Sequence, residues 1–172
     1  MSKIEIYYKN LLAFCGLVAG VLIGLVAIFV TLDVAIRNTG IGNLPWVLEI
    51  TEYILFVSTF LAAPWVLSRG AHVRIDLVRE ALSPGAGRRV DIIAGAFGFV
   101  ITLIIFRYGI FVTWDAWTIN SVIDKELQIP EWALLCVIPF SAALLTIEFV
   151  RQISSAIRSE TVSANSPLTG GI

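Results

Sequence analysis

One histidine, two cysteines and little charge set this 172-residue sequence apart before anything it contains. A single His72 cannot supply both axial ligands of a bis-histidyl haem. Neither the cysteines nor the carboxylates fall at metal-ligand spacing. Ser, His and Asp are all present, yet nothing in their order brings them together as a triad, so the sequence reads as non-catalytic, with no cofactor of its own. Only 15% of residues are charged, where a soluble domain carries about a quarter. The net charge is −1, and the twelve Lys and Arg sit mostly at the ends of apolar runs, which gives a nucleic-acid partner no support.

What is there is apolar: 58% hydrophobic residues and a mean hydropathy of +0.88. Such a surplus has to face lipid. Four runs, at about 11–32, 50–67, 92–114 and 132–150, approach the roughly 20 residues that cross a bilayer. The expected fold class is therefore an all-α integral membrane protein of four transmembrane helices, with a membrane domain over 11–150. The first run is longer than the usual apolar core of a signal peptide (about 7–15 residues), and no A-x-A site follows it, so it reads as a retained span.

Lysine and arginine gather on the cytoplasmic side of short loops. Lys3, Lys9, Arg69, Arg74, Arg79, Arg88, Arg89, Arg151 and Arg158 fall on one side of the four spans, against Arg37 and Lys125 on the other. That distribution predicts both termini and the central loop in the cytoplasm. Trp46, Trp114, Trp117 and Trp132 cluster near the outer ends of spans and Trp65 near an inner end, as indole rings favour the headgroup zone. Cys15 and Cys136 lie at opposite depths, so no disulfide is expected between them.

Between the spans, Val73, Leu77, Val78, Ala81 and Leu82 recur at helical spacing, with Arg74, Arg79 and Glu80 on another face and Ser83-Pro84-Gly85 as a stop. This pattern predicts a short amphipathic helix in the cytoplasmic interface. The N-terminal "IEIYYKN", within a cytoplasmic segment 1–10, is expected to lie there too. The outer stretch "RNTGIGNLPWVLE" is turn-rich, and the acidic "WDAWTINSVIDKELQIPEW" is expected to hold a helical turn before Pro130. Residues 151–172, rich in Ser, Thr, Asn and Gly, are expected to form a disordered cytoplasmic tail.

An ionisable residue within a span is a functional candidate by default. Arg107 either snorkels to the outer headgroups, or pairs with Glu52 at a similar depth or with a partner protein, or takes part in transport, the reading with least weight. Asp33 with Arg37, and Glu148 with Arg151, have the spacing of local ion pairs. A carrier needs unwound helices and polar groups at mid-membrane, and here those positions are almost wholly Leu, Val, Ile, Ala and Gly. The economical reading is a scaffold with lipid on one side and a larger membrane protein on the other. Gly16, Gly20 and Gly24 repeat every four residues, which lets another helix approach closely, and Ala94, Gly95 and Gly98 offer a weaker version.

The order of motifs adds to this. A span ending at Arg37 is followed by "LPWVLE", a second span, "SRGAHVRIDLV", a third span and "LQIPEWALLCVIPF". Over residues 11–150 this resembles the small membrane subunit of tripartite ATP-independent periplasmic (TRAP) transporters, the DctQ-like family. Arg69, Gly70, His72, Val73 and Asp76 look like that family's element after the second span. Trp46 with Glu49 is similar to its Trp-and-acid stretch, although the carboxylates here are spread to Glu49 and Glu52. Pro130, Trp132 and Pro139 look like its approach to the fourth span.

The resemblance implies a bacterial inner-membrane complex. This chain would join a large multi-span subunit that carries the substrate and Na+ sites, and a periplasmic substrate-binding protein would deliver organic acids. With the charge of Arg107 inside the third span, the structural or partner-facing candidates are Arg37, Trp46, Glu49, Glu52, Arg69, His72, Asp76, Arg107 and Pro139. A rival is the four-span small subunit of tripartite tricarboxylate transporters, and another, of a different class, is the membrane anchor of a redox enzyme. The "HVRID" and "IPEW" elements favour the first family, and the lone histidine opposes a haem anchor.

Overall fold

The computed structural model describes residues 3–40, 42, 44–70, 84–123, 125 and 127–164. Helix α1 runs over Lys3–Asn38, α2 over Pro45–Gly70 and α3 over Pro84–Thr118. A two-residue antiparallel pair follows, β1 (Val122–Ile123) with β2 (Ile129–Pro130), then α4 (Glu131–Leu135) and α5 (Val137–Ala164). Among the described residues four helical stretches are long and apolar enough to cross a membrane: Glu5–Asn38, Pro45–Arg69, Arg89–Thr118 and Glu131–Ile157.

The helices outrun the apolar runs. At about 1.5 Å per residue, 36 residues make α1 roughly 54 Å long, well beyond the roughly 30 Å hydrocarbon core. The stretch "IEIYYKN", expected in the cytoplasmic interface, is continuous with α1: no glycine or proline interrupts residues 3–15, and a Glu5–Lys9 pair at 3.3 Å, spaced i,i+4, supports its first turns. Of the tail over 151–172, residues 151–164 are helical as the end of α5, and residues 165–172 lie outside the described residues. Its residues beyond 150 have something to pack on: Ile153 lies against the backbone of Gly95 in α3, and Ser154 Oγ donates to the Val150 carbonyl at 2.7 Å. The proposed interfacial helix at 73–82 lies outside the described residues.

The fourth span is broken near its start. Pro139 has no N–H to give the Leu135 carbonyl, so the helix resolves into α4, a turn at Cys136 and α5. The Cys136 amide still reaches Trp132 O at 2.9 Å. The predicted helical turn before Pro130 is replaced by the strand pair, with Val122 opposite Pro130 and Ile123 opposite Ile129. β-Branched residues favour an extended chain. Asn120, at φ 53°, turns the chain out of α3.

Helix contacts do not follow chain order. The main seams are α1 with α2, α2 with α5, and α5 with α3. At the end of the bundle that holds Glu5 and Arg151, α1 also reaches α5: Leu12 and Cys15 pack with Leu144, and the Tyr8 hydroxyl donates to the Leu144 carbonyl at 3.1 Å. Both cysteines are free, Cys15 buried and Cys136 exposed.

Lipid supplies no water to drive apolar faces together, so the seams rest on close contact and internal hydrogen bonds. A β-carbon on Gly16 would lie 2.6 Å from Cγ and Cδ2 of Trp65, so the indole occupies the space a side chain would need. Gly98 receives the Phe149 ring in the same way. Gly109 faces Pro139, whose Cδ would be 3.2 Å from an added β-carbon. Polar side chains at the seams are also paired. Ser141 Oγ donates to Phe60 O at 2.5 Å, and Thr146 lies 3.2 Å from Thr102, each hydroxyl also bonding a backbone carbonyl of its own helix.

The glycine repeat in α1 is thus divided in use. Gly16 serves a seam within the chain, while Gly20 and Gly24 have no atom within 4 Å of an added β-carbon. Gly16→Ala should lower the melting temperature of the purified protein, through an overpacking cost of about 1–3 kcal/mol. Gly20→Ala should leave it unchanged or raise it slightly, since alanine gains up to about 1 kcal/mol in helix propensity. Thermal unfolding in one detergent checks both.

Candidate functional site

Two clusters of polar groups cap the helices, one at each end. The loop-bearing end is built on the first turns of α2. The side chain of Glu49, only 8% exposed as a residue, accepts the Leu127 amide at 2.9 Å across the fold. One turn on, Glu52 receives Lys125 Nζ at 2.7 Å, and that ammonium also stands 5.6 Å from the centre of the Tyr53 ring. Ser121 Oγ bonds the Glu131 carboxylate, and the Glu131 amide donates to Ser121 O at 3.1 Å. Trp117 and Trp132 meet edge to face with centroids 4.7 Å apart. The connection between α3 and α4 is therefore fastened both to itself and to α2.

Spacing explains the division of labour on α2. Glu49 and Glu52 are three residues apart and so share a side of the helix. The inner one is spent on a backbone amide, while the outer one, with its side chain 59% exposed, meets the loop lysine. The hydrogen bond to Glu52 raises the Lys125 pKa above the usual lysine value. A raised lysine pKa contributes stability that is present below the unfolded value and lost as pH climbs through the folded one, so this tie is intact at neutral pH. On the neighbouring loop, Asp33 holds Arg37 at 2.7 Å and accepts the Leu44 amide at 3.3 Å, closing the α1–α2 turn.

The opposite end gathers Glu5, Tyr8 and Lys9 from α1, Trp65 and Arg69 from α2, and Glu148 and Arg151 from α5. Arg151 binds Glu148 at 3.0 Å and Glu5 at 3.6 Å, and its guanidinium lies 4.8 Å from the centre of the Tyr8 ring. Glu148 is buried at 6% exposure. The expected local pair of Glu148 and Arg151 is present, but it is also part of a three-helix junction. Gln152 adds a bond to the Leu67 carbonyl at 3.2 Å. Arg69 stacks over Trp65 at 5.7 Å, the same indole that covers Gly16.

Of the residues singled out in the sequence, Glu49 and Glu52 come together at the loop end, with the half-exposed Trp46 at the start of α2. Arg37 stands on the adjoining turn, Arg69 at the other end, and Pro139 in the α3–α5 seam. The Arg107–Glu52 pair is not formed: Lys125 takes Glu52, and Arg107 is exposed with no ion-pair partner among the described residues. His72 and Asp76 lie outside the described residues. Sequence reasoning missed Lys125, although it is the one basic residue of an acidic loop. It also missed the link from Tyr8 and Glu5 to Arg151, which no local spacing announces. No group of three or more His, Cys, Asp or Glu suited to a metal occurs among the described residues.

Four spans, a fourth one entered through Pro130 and broken at Pro139, and a polar cap on α2 can be set beside known families. The model of the DctQ component of tripartite ATP-independent periplasmic transporters matches residues 26–159. The chain belongs to the DctQ family. No single curated protein matches it. As a DctQ component it is a small membrane part of a TRAP transporter, a multi-pass protein in a family of transport components. The matched region takes in the whole loop-end cap, from Asp33 to Glu131, and the Glu148–Arg151 pair.

Removing the buried acceptor should cost more than removing the exposed one. Glu49→Ala should destabilise the protein by about 1–3 kcal/mol, the range for a buried donor left without its partner. It should also speed hydrogen exchange at the Leu127 amide. Glu52→Ala should cost no more than about 1 kcal/mol, as exposed ion pairs do. Thermal unfolding and exchange mass spectrometry on the two variants measure the difference.

Proposed function

We propose that this chain is the non-catalytic scaffold subunit of a Na+-coupled TRAP transporter for organic acids. It would enlarge the fixed wall against which a large partner subunit moves its substrate and Na+ sites, and it would lend outer surface to a periplasmic substrate-binding protein. The observation that carries the reading is the fastening of the α3–α4 connection onto α2 through Glu49 and Glu52. A docking surface and a fixed wall both need parts that hold their places, and a buried carboxylate on a loop amide provides that.

Two further features support it. The seam hydroxyls of Ser58, Thr102, Ser141 and Thr146 are all taken up by protein carbonyls or by one another. Large apolar side chains such as Phe14, Leu17, Phe97, Phe111 and Trp114 point away from the chain's own seams, leaving α1 and α3 broad faces for lipid or a partner. The excess of Lys and Arg at the end carrying Glu5 and Arg151 favours placing that end in the cytoplasm. The loop-end cap would then face the periplasm of a bacterial inner membrane. In this reading Arg69, His72 and Asp76 secure the inner end of the second span.

Reconstitution tests it. The chain alone in liposomes should accumulate no organic acid under a Na+ gradient, and uptake should require both the large subunit and the binding protein. Charge reversal at the exposed Asp115 or Glu52 should reduce uptake severalfold while leaving the amount of co-purified complex unchanged. Accumulation by the isolated chain would overturn the proposal, and parallel loss of complex and uptake would make those carboxylates structural instead.

A further inference from the structure

The polar junction at the end bearing Glu5 and Arg151 encloses a pocket of about 260 Å³. Leu12, Ala13 and the Trp65 indole give its lining an apolar part, while Ser68, the Glu148 carboxylate and three cations, Lys9, Arg69 and Arg151, make up the rest. Their charges are only partly matched. Glu148 and Glu5 answer Arg151, and Glu5 also serves Lys9, at 3.3 Å. Arg69 has a ring beneath it but no carboxylate among the described residues. Among the described residues, three cations against two carboxylates leave one positive charge at a cavity whose lining is part apolar and part polar.

Position decides what such a site suits. It lies at the end of the hydrophobic stretches of α1, α2 and α5, where hydrocarbon gives way to headgroups. Residues just deeper on α1, Phe14 and Leu17, are exposed to the membrane. A ligand held here meets cations at one end and lipid-facing apolar surface at the other. Basic pockets between transmembrane helices take phosphate-bearing lipid headgroups for this reason. A guanidinium matches a phosphate geometrically, with paired N–H donors facing paired oxygens.

We propose that this pocket binds the phosphodiester headgroup of an anionic membrane phospholipid, with Arg69 and Lys9 as the phosphate contacts and Trp65 against the glycerol and upper acyl chain. The bound lipid would supply the missing negative charge and join α1 to α2 at that end, where Trp65 already fills the notch at Gly16. The inference rests on the membrane-spanning helices and the pocket alone, and it stands whether or not the chain works as a transporter scaffold.

Native mass spectrometry of the full-length protein, released from detergent after incubation with defined lipid, tests it. Phosphatidylglycerol should be retained at least fivefold more than phosphatidylcholine of the same acyl chains, and should raise the melting temperature. Millimolar inorganic phosphate should neither displace it nor reproduce the shift. The Lys9→Gln/Arg69→Gln variant should lose the preference for phosphatidylglycerol. Equal retention of the two lipids by the unaltered protein would overturn the proposal, because acyl chains alone would then account for binding. A matching effect of inorganic phosphate would overturn the lipid as its source, and an undiminished preference in the double variant would overturn the site.

Discussion

In a bilayer, apolar side chains gain nothing by leaving lipid for one another, so this fold depends on how closely its helices can approach. Four glycines allow that approach, each filled by a large or rigid side chain: Trp65 at Gly16, Ile153 at Gly95, Phe149 at Gly98 and Pro139 at Gly109. Close backbones then bring the seam hydroxyls within reach of one another and of facing carbonyls, as with Ser141 and Phe60 O. Dispersion and hydrogen bonding act in the same places. Elsewhere α1 and α3 carry many exposed large apolar side chains, among them Phe14, Leu17, Phe97 and Phe111.

Both caps extend this arrangement into the wetter zones. At one end a buried carboxylate on α2 fixes a loop amide, and at the other an arginine on α5 gathers a carboxylate of its own helix with a carboxylate and a tyrosine of α1. The first joins a side chain on α2 to a loop amide, and its removal can be measured at that amide. The second is a network, and its members are not separable in the same way. A structured cap at each end of a paired, apolar middle supports the scaffold role proposed for this chain.

The four spans could be read from composition because apolar length is a property of each segment by itself. The pairs Asp33–Arg37 and Glu148–Arg151 were legible for the same reason, since i,i+4 and i,i+3 neighbours on a helix are also neighbours in space. The choice of Lys125 over Arg107 as the partner of Glu52 was not. It depends on where a loop folds back, 73 residues later in the chain. Likewise the glycine repeat in α1 was visible as a stripe, but only packing shows that Gly16 is used within the chain while Gly20 and Gly24 remain open. Helix ends were underestimated because hydropathy marks what sits in hydrocarbon, whereas a helix stops where its backbone bonds stop.

The order of the seams has a consequence for biogenesis. α3 is made third, yet its principal neighbour is α5, the last helix to be made. The first two helices can pair as soon as they leave the ribosome, but the third must wait in the membrane without its seam until the fourth span arrives. Chains stopped short of residue 137 would keep the α1–α2 hairpin and leave Gly98 and Gly109 without the side chains that fill them.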